Sequence, residues 1–519
     1  MAAAASSHAM HIGVDMRQRP MARPTTAFLA QHHPPGTYKN SEVFATSSGS
    51  GELAGWIQAQ DDYAKRRILA NIAPFADDPS AMAGAVCASP SRSKPNYYYT
   101  WTRDSGLVMN EIFTWLTTAR NATWAKQLRE TIDDYVAFTS HVQSLEGLKY
   151  GLGEAKFNMD GSPFTGSWCN AQTDGPAIRV YMMTRFARYL LDRGEGVHYL
   201  YGAESSPIKR DLEYVAGVWH ENRHCDIWEE SRGLHFYTLM AQRRALVDGA
   251  RLADLLGDTA GVQKYRRAAR GVERDLARFW NPKRNYLLAT IDKSGGIQSK
   301  HSNLDSQVLL SSLHAGLDDG FFSVESSEMM ATVLATLRTF EPLYAINNVM
   351  STDISGATVP IGIAVGRYPE DVYNGVGTSR GNPWSLVTSG LAEYHYRLAS
   401  AYSNARQVQV TPELVELVQW SSRYHARSPY LAVVLQRLLP GEVLDAGAPE
   451  LHGLAHYLLS VGDLYMARVA RHTSADHTMY EQWYSYDGYG RGAIHLTWSY
   501  AAHTAASRAR SELTSSLYK

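Results

Sequence analysis

The stretch Asp226-Ile227-Trp228-Glu229-Glu230 sets three carboxylates and one indole within five residues. Carboxylates at this density raise one another's pKa, and a neighbouring indole removes water from the carboxyl group that lies against it. The stretch therefore suits a carboxyl group that stays protonated near neutral pH. An acidic pair beside Trp is also common at a helix start, where carboxylates satisfy free N–H groups and the helix dipole. The five residues alone leave both interpretations open.

A second group of carboxyl and aromatic side chains follows much later, in Met479-Tyr480-Glu481-Gln482-Trp483, and Trp498 comes shortly after it. Hydrolysis of a glycosidic bond requires two carboxyl groups in differently tuned environments, one as acid and one as base. The two stretches together predict this chemistry.

The charge balance excludes several classes of partner. The 519 residues include 50 basic and 51 acidic side chains, for a net charge of −1, so no polybasic field is available for nucleic acid or an anionic membrane. No run reaches the roughly twenty apolar residues of a membrane span. The 31 Tyr and 12 Trp favour a substrate with rings on which flat side chains can stack, such as a sugar.

The cysteines and the N-terminal residues bear on the compartment. Cys87, Cys169 and Cys225 are an odd number, without disulfide-framework spacing or paired metal-ligand spacing, which indicates a reducing compartment. The first forty residues contain no apolar run of signal-peptide length. Both observations predict an intracellular protein.

The pattern of apolar residues predicts an all-α fold. Residues 1–50 are rich in Ala, Ser, Pro, His and Gly and show no period, so we expect a mobile or wrapping arm before a catalytic domain over 51–519. A single amphipathic helix must bury its face against others, so a repeated helix–loop–helix pattern favours a closed toroid of about six inner and six outer helices. Helical periods occur at 56–72, 106–118, 124–142, 174–191, 211–219, 236–256, 259–279, 326–339, 384–402, 411–425, 430–439, 450–473 and 496–508.

The unusual chemistry lies in five loops, at 95–104, 151–176, 224–230, 367–384 and 480–498, where aromatic, Gly, Asp and Asn residues cluster. Arg103 and Asp104 offer a donor fork and an acceptor that can grip vicinal sugar hydroxyls, or they cap the next helix. Arg367 either contacts a sugar or forms an internal ion pair with Asp371. Trp168 is a core residue or a sugar platform.

Taken together, the five loops resemble the glucoamylases of glycoside hydrolase family 15. The resemblance implies an (α/α)6 barrel with the active site at the end where the inner helices begin. The matching stretches occur in the family's order: 88–90 with 97–105, 157–168 with 174–177, 226–230, 367–371 with 382–384, and 481–482 with 496–502.

The resemblance also implies roles for individual residues. Glu229 matches the general acid and Glu481 the general base, and no metal or organic cofactor is required. The implied reaction releases glucose from the non-reducing ends of α-1,4-linked glucans with inversion, with the two carboxyl groups about 6.5–9.5 Å apart. The residues that match substrate contacts or flank the acid are Tyr97, Arg103, Asp104, Trp168, Trp228, Glu230, Arg367, Trp384 and Trp498.

Some features differ from the family pattern. Cys169-Asn170-Ala171 follows Trp168 where the family often has Gly-Arg-Pro, so the resemblance does not fix preferences beyond the first glucose. His495 stands near the base and either alters its pH response or has a structural role. Secreted fungal members often carry a starch-binding module, and without one we expect a monomer acting on soluble oligosaccharides or glycogen.

Two other functions are compatible with the sequence. One is a glucan-binding or regulatory protein that keeps the barrel but does not hydrolyse. The other is a hydrolase for a different substrate, such as trehalose or an isomaltose-type linkage.

Overall fold

The computed structural model describes residues 50–317, 319–348, 350–352, 358–424 and 428–518. The predicted arm lies outside these residues, apart from Ser50, which begins the first helix. Twelve helices form two concentric rings. The inner ring consists of α2 (Thr102–Thr118), α4 (Asp174–Leu191), α7 (Phe236–Leu255), α9 (Gln307–Ala315), α11 (Ser385–Asn404) and α15 (Thr497–Leu517). The outer ring consists of α1 (Ser50–Ala70), α3 (Ala122–Ser144), α6 (Pro207–Val218), α8 (Thr259–Leu276), α10 (Ser327–Phe340) and α14 (Pro449–His472). The short helix α5 (His198–Tyr201) precedes α6.

The inner ring is closed, since each inner helix packs against the next in chain order and α15 packs back against α2. Each inner helix also packs against an outer helix, in the pairs α2–α3, α4–α6, α7–α8, α9–α10, α11–α14 and α15–α1. The predicted all-α barrel of six helix pairs is therefore confirmed. None of the described helices combines the length and apolar content that crossing a bilayer requires.

The outer helices follow from their sequence period. In α8 the buried residues Val262, Tyr265, Ala269, Val272 and Leu276 recur every three or four positions, and most of the remaining positions are charged or polar. The Asp258 side chain caps this helix by accepting from the backbone N–H of Gly261. One apolar stripe therefore faces the inner ring while the opposite face meets water.

The inner helix α9 was not among the predicted helices. Every residue of α9 except His314 is buried, so the helix has no polar face and shows no amphipathic period. Two of the predicted helices instead form α12 (Pro412–Ser422) and α13 (Leu431–Arg437), which lie between α11 and α14 and are not members of either ring. The predicted toroid of six inner and six outer helices is confirmed, and α9 replaces these two predicted helices in it.

Six antiparallel pairs of short strands connect the helices in the described part of the chain. The sequence showed few convincing strands, because strands of two to seven residues are too short to establish an alternating period. Three pairs belong to the functional loops: β1 (Thr100–Trp101) with β2 (Lys156–Phe157), β3 (Ser231–His235) with β6 (Thr290–Gly296), and β11 (Tyr480–Trp483) with β12 (Gly490–Ile494). The other pairs are β4 (Trp280–Asn281) with β5 (Tyr286–Leu287), β7 (Met350–Thr352) with β8 (Thr358–Pro360), and β9 (Gln407–Gln409) with β10 (Val443–Asp445).

A disulfide joins Cys169 to Cys225, and their Cα atoms are 5.9 Å apart. Cys87 is the remaining cysteine; its thiol is free and buried, and burial raises its pKa to about 12. The interpretation of the cysteines as unpaired was therefore wrong for two of the three. The bridge ties the loop of Trp168 to the loop of Asp226, two of the five loops that carry the unusual chemistry.

Removing this bridge is expected to destabilise the fold. The disulfide closes a segment of 56 residues, and loss of that constraint in the unfolded chain costs about 2–4 kcal/mol. The double variant Cys169→Ala/Cys225→Ala should unfold at a lower temperature than the wild type in calorimetry, and Cys87→Ala is the matched control. Equal melting of the double variant and the unreduced wild type would show that the bridge does not stabilise the fold.

Candidate active site

A cavity with about 480 Å³ of empty space lies at the end of the barrel where the inner helices begin. Arg103 and Asp104 reach it from the first turn of α2, Trp498 from the first turn of α15, and Trp384 from the residue before α11. Nine of the eleven predicted site residues line this cavity: Tyr97, Arg103, Asp104, Trp228, Glu229, Arg367, Trp384, Glu481 and Trp498. Glu230 and Trp168 are not among the lining residues and lie just outside.

The turn that carries Glu229 is held by Asp226. One carboxylate oxygen of Asp226 accepts from the backbone N–H groups of Glu230 and Ser231, at 2.8 and 3.1 Å, and the other pairs with Lys300 at 3.2 Å. Burial alone would raise the pKa of Asp226, but the Lys300 ammonium and these N–H groups outweigh it and hold the pKa at about 2. Asp226 therefore stays ionised and serves as the anchor of the turn.

The carboxyl group of Glu229 has two different oxygens. Oε1 accepts from the indole N–H of Trp101 at 2.6 Å and from the amide of Gln172 at 2.9 Å, and Arg103 lies 3.9 Å away. Oε2 has no hydrogen-bond partner within the described ranges. Because donors occupy Oε1, a proton on Glu229 belongs on Oε2. A carboxyl group with one hydrogen-bonded oxygen and one open oxygen meets the geometric requirement for proton transfer to a bound ligand.

Glu481 lies on β11 and is completely buried. Its Oε1 accepts from the hydroxyl of Tyr97 at 3.0 Å, its Oε2 accepts from the backbone N–H of Ala493 at 3.3 Å, and the Tyr373 hydroxyl lies 3.3–3.4 Å from both oxygens. Burial raises the pKa of Glu481 to about 7, although these donors favour the carboxylate. Gly492 leaves room for the group, since a Cβ there would lie 2.1 Å from Oε2.

The raised pKa of Glu481 predicts a pH-dependent effect on stability. The folded protein binds this proton between about pH 4.5 and 7 more tightly than the unfolded chain, so stability falls as the pH rises through that window. Glu481→Gln removes this cost, which amounts to about 3 kcal/mol above pH 7. Denaturant unfolding at pH 4 and pH 8 should show the variant gaining stability over the wild type only at pH 8. If the free energies of unfolding of the wild type and the variant differ by the same amount at pH 4 and pH 8, this prediction is wrong.

Arg103 and Asp104 do not simply cap the next helix. Arg103 donates to Gln172 at 2.9 Å and to Asp174 at 3.1 Å, and its Nε lies 3.2 Å from Asp104 Oδ1. That Oδ1 is buried and has no hydrogen-bond partner within the described residues. Burial raises the pKa of Asp104 to about 6, with Arg103 opposing the shift. Asp104 lines the cavity beside Arg103, so this ion pair forms part of the wall that meets a ligand.

Arg367 forms the internal ion pair that the sequence left open. Its guanidinium donates to both oxygens of Asp371, at 2.8 and 2.6 Å, and to Glu230 at 2.8 Å. Tyr368 donates its hydroxyl to the other oxygen of Glu230 at 2.6 Å. Arg367 also lines the cavity, so the ion pairs fix its orientation at the wall. Glu230 contributes to the site through Arg367.

Aromatic side chains form the rest of the wall. Trp228 donates its indole N–H to Asp305 at 2.8 Å, and its ring packs 5.4 Å from that of Trp384 and 6.4 Å from that of Trp498. Trp168 packs edge-on against Trp101, with the ring centroids 5.9 Å apart, and is partly exposed. Its role as a sugar platform stays a prediction.

Three residues of the site were missed: Trp101, Gln172 and Tyr373. The first two donate hydrogen bonds to Glu229, and Tyr373 lies against Glu481. All three stand inside the loops singled out from the sequence, and their aromatic or amide character in a Gly- and Asp-rich loop was the available signal. His495 contacts Tyr500 at 2.8 Å rather than Glu481, and burial lowers its pKa to about 4.

Within the described parts of the chain, no group of three or more His, Cys, Asp or Glu side chains could hold a metal ion. What the arrangement offers is acid–base chemistry. Glu229 and Glu481 face one cavity from different loops. Trp101 donates a hydrogen bond to Glu229 and Tyr97 donates one to Glu481, and the two rings lie 5.3 Å apart.

Known proteins resemble this chain in sequence. The family model described as glycosyl hydrolases family 15 matches residues 60–508. Glucoamylase 1 of Rhizopus oryzae is 32% identical over 470 residues, which cover 91% of this chain and 73% of that protein. The intracellular sporulation-specific glucoamylase of Saccharomyces cerevisiae is 28% identical over 92% of this chain and 88% of its own length.

Solved structures agree with these matches. The glucoamylase of Saccharomycopsis fibuligera superposes with a TM-score of 0.76 at 28% identity, over 92% of this chain and 98% of that one. The glycoside hydrolase family 15 glucoamylase of Hypocrea jecorina has a TM-score of 0.74 at 28% identity, over 89% of this chain and 73% of that one. The chain therefore belongs to the glycosyl hydrolases of family 15, as the five loops predicted.

Proposed function

We propose that this glycoside hydrolase removes single glucose units from the non-reducing ends of α-1,4-linked glucans, with inversion at the anomeric carbon. Glu229 transfers the proton on Oε2 to the glycosidic oxygen as the bond from that oxygen to the anomeric carbon breaks. Glu481 takes a proton from a water molecule, whose oxygen bonds to the opposite face of the same carbon. The products are β-glucose and a glucan shortened by one unit.

One observation carries this proposal, which is the different environment of the two carboxyl groups in a single cavity. Glu229 has donors on one oxygen and a free second oxygen, whereas Glu481 is buried among the hydroxyls of Tyr97 and Tyr373. Glu229 and Glu481 share no hydrogen bond within the described residues. Each is held by a different aromatic side chain, Glu229 by Trp101 and Glu481 by Tyr97. An inverting enzyme needs separated carboxyl groups because the water must fit beside the base.

The position of the cavity supports attack at a chain end. Arg103, Asp104 and Trp498 lie in the first turns of inner helices, and beyond them the inner helices contribute a continuous buried apolar core. A glucan therefore enters from the mouth and presents its end. At that end, the paired Arg103 and Asp104 on the cavity wall suit the hydroxyls of a terminal sugar.

The four glucoamylases compared above support a glucan as the substrate. The binding-protein alternative gains no support from the site, because Glu229 and Glu481 line one cavity in different environments. A non-hydrolytic binding protein has no need of a free protonatable oxygen beside a buried base.

Chromatography of the products from maltoheptaose tests this proposal, with trehalose and isomaltose run in parallel. We expect glucose and maltohexaose as the first products, followed by maltopentaose. Maltose or maltotriose among the first products would contradict attack on terminal units. Bound but uncleaved maltoheptaose would favour the binding protein, and faster cleavage of trehalose or isomaltose would favour the other linkage.

We infer that the enzyme acts inside the cell as a monomer. The Saccharomyces cerevisiae relative, named as intracellular, supports this location. The disulfide is the observation against it, since such bonds are typical of oxidising compartments. Immunodetection in washed cells and in the medium tests the location, and light scattering tests the oligomeric state. Protein found only in the medium would overturn the first inference, and a dimer mass the second.

A further inference from the structure

Lys156 is a buried lysine that the reaction above does not use. Four aromatic rings surround its ammonium group, with the ring centroids of Trp168, Phe164, Trp101 and Tyr99 at 3.2, 4.2, 4.4 and 4.5 Å from Nζ. The residue is only 3% exposed. No carboxylate within the described parts of the chain forms an ion pair with it. Burying an ammonium group without a counterion costs folding free energy, and the four aromatic faces offset only part of that cost. The fold therefore keeps a cation at a destabilising position, which indicates a functional role.

The backbone fixes this arrangement. Lys156 on β2 is the direct antiparallel partner of Trp101 on β1, so the two side chains lie on the same face of the strand pair. Trp101 in turn donates its indole N–H to Glu229 Oε1 at 2.6 Å, a short hydrogen bond. The ammonium therefore lies over the face of the same indole whose N–H holds Glu229.

We propose that Lys156 is a positioning residue for the general acid, acting through the indole of Trp101. A cation over the ring draws electron density away from the indole N–H and makes that group a stronger donor to Glu229. The same charge also favours the carboxylate that Glu229 becomes after it gives up its proton. Lys156 thus assists proton transfer to the leaving oxygen without touching the substrate.

The other charged and titratable groups that act on Glu229 come from the neighbouring loops and from α2. They are Tyr97, Arg103 and Asp104. Arg103 is committed to Asp174 and Asp104, whereas the rings around Lys156 bring no charge of their own. Glu229 is the one charged group that acts on the pKa of Lys156. Burial lowers that pKa to about 8, so the ammonium remains charged throughout the acidic range.

The test compares Lys156→Met, Lys156→Arg and the control Lys149→Met with the wild type. Met keeps the length of the side chain and packs well against aromatic rings, whereas Arg keeps the charge and stacks on them. Lys149 lies 5.1 Å from the ring of Tyr150, outside the cavity wall, so its replacement leaves the acid untouched. The readouts are kcat and KM for maltoheptaose, the pH dependence of kcat/KM, and the melting temperature.

We expect Lys156→Met to lower kcat about tenfold, as loss of one such interaction would, with less change in KM. The alkaline limb of the pH profile, which reports the general acid, should move to higher pH because Glu229 loses a nearby positive charge. Lys156→Arg should restore most of kcat and the position of the limb. Lys149→Met should match the wild type.

An unchanged kcat and alkaline limb in Lys156→Met would overturn the proposal, and so would a lower melting temperature with an unmoved limb, which indicates a structural role. If Lys156→Met does not fold, Lys156→Gln and Lys156→Arg are compared, and equal limbs in this neutral and charged pair overturn it as well. The inference rests on the proposed role of Glu229. Failure of that role appears as wild-type activity that survives in Glu229→Gln, whereas failure of this inference leaves the wild type and Glu229→Gln as expected.

Discussion

Replacement of Glu229 by Gln is expected to lower the rate of glucose release about 10²–10⁴-fold, the contribution that general acid catalysis makes to a reaction of this kind. The substitution is nearly isosteric. The amide oxygen of Gln can still accept from Trp101 and Gln172, as Oε1 of Glu229 does at 2.6 and 2.9 Å, so the turn should keep its shape. What the variant lacks is the proton for the leaving oxygen.

The measurement is kcat with maltoheptaose, together with the affinity of the variant for the same ligand by calorimetry. Affinity should stay close to that of the wild type. Glu221→Gln is the matched control, because Glu221 stands a few residues before the acid in the chain, pairs with Arg223 and does not line the catalytic cavity. A Glu229→Gln variant that keeps more than about a tenth of the activity would contradict the assignment of the acid.

Replacement of Arg367 by Met is expected to destabilise the protein by about 3–5 kcal/mol and to weaken substrate binding. The guanidinium is 4% exposed and holds both Asp371 and Glu230. Removing it leaves the buried Asp371 without its ion-pair partner and Glu230 without its salt bridge. The positive charge on the cavity wall disappears at the same time, so stability and KM should change together.

Denaturant unfolding and the KM for maltoheptaose test this prediction. Arg367→Lys keeps the charge but loses the planar fork that binds Asp371 through two hydrogen bonds, so it should fall between Met and the wild type. The double variant Arg367→Met/Asp371→Asn should recover part of the stability, since it removes one of the unpaired charges. If the double variant is less stable than Arg367→Met, the unpaired Asp371 carboxylate is not the source of the lost stability.

The sequence predicted those helices that have one apolar face and one polar face. The period of α8 follows from its polar outer face, and the count of helix pairs followed from such patterns. In contrast, α9 is buried on all sides, so its sequence carries no period, and α12 and α13 have the pattern of ring helices without belonging to a ring. Ring membership depends on which helices pack together, and that information is not local.

The site was predictable as a set of loops but not as a set of contacts. Each loop precedes an inner helix, which is why residues such as Arg103 and Trp498 could be placed at one end of the barrel. The hydrogen bonds from Trp101 to Glu229 and from Tyr97 to Glu481 join residues 128 and 384 positions apart. The disulfide between Cys169 and Cys225 likewise requires that two separate loops meet. A spacing rule within one segment cannot reveal such pairs.

The most direct test of the central claim is proton NMR of the wild-type enzyme acting on maltoheptaose, recorded before mutarotation mixes the anomers. Two separated carboxyl groups that act as acid and base release glucose with inversion, so the first signal should be that of β-glucose. The signal should be absent from parallel samples of Glu229→Gln and Glu481→Gln. Early α-glucose from the wild type would contradict the inverting mechanism and the roles assigned to Glu229 and Glu481.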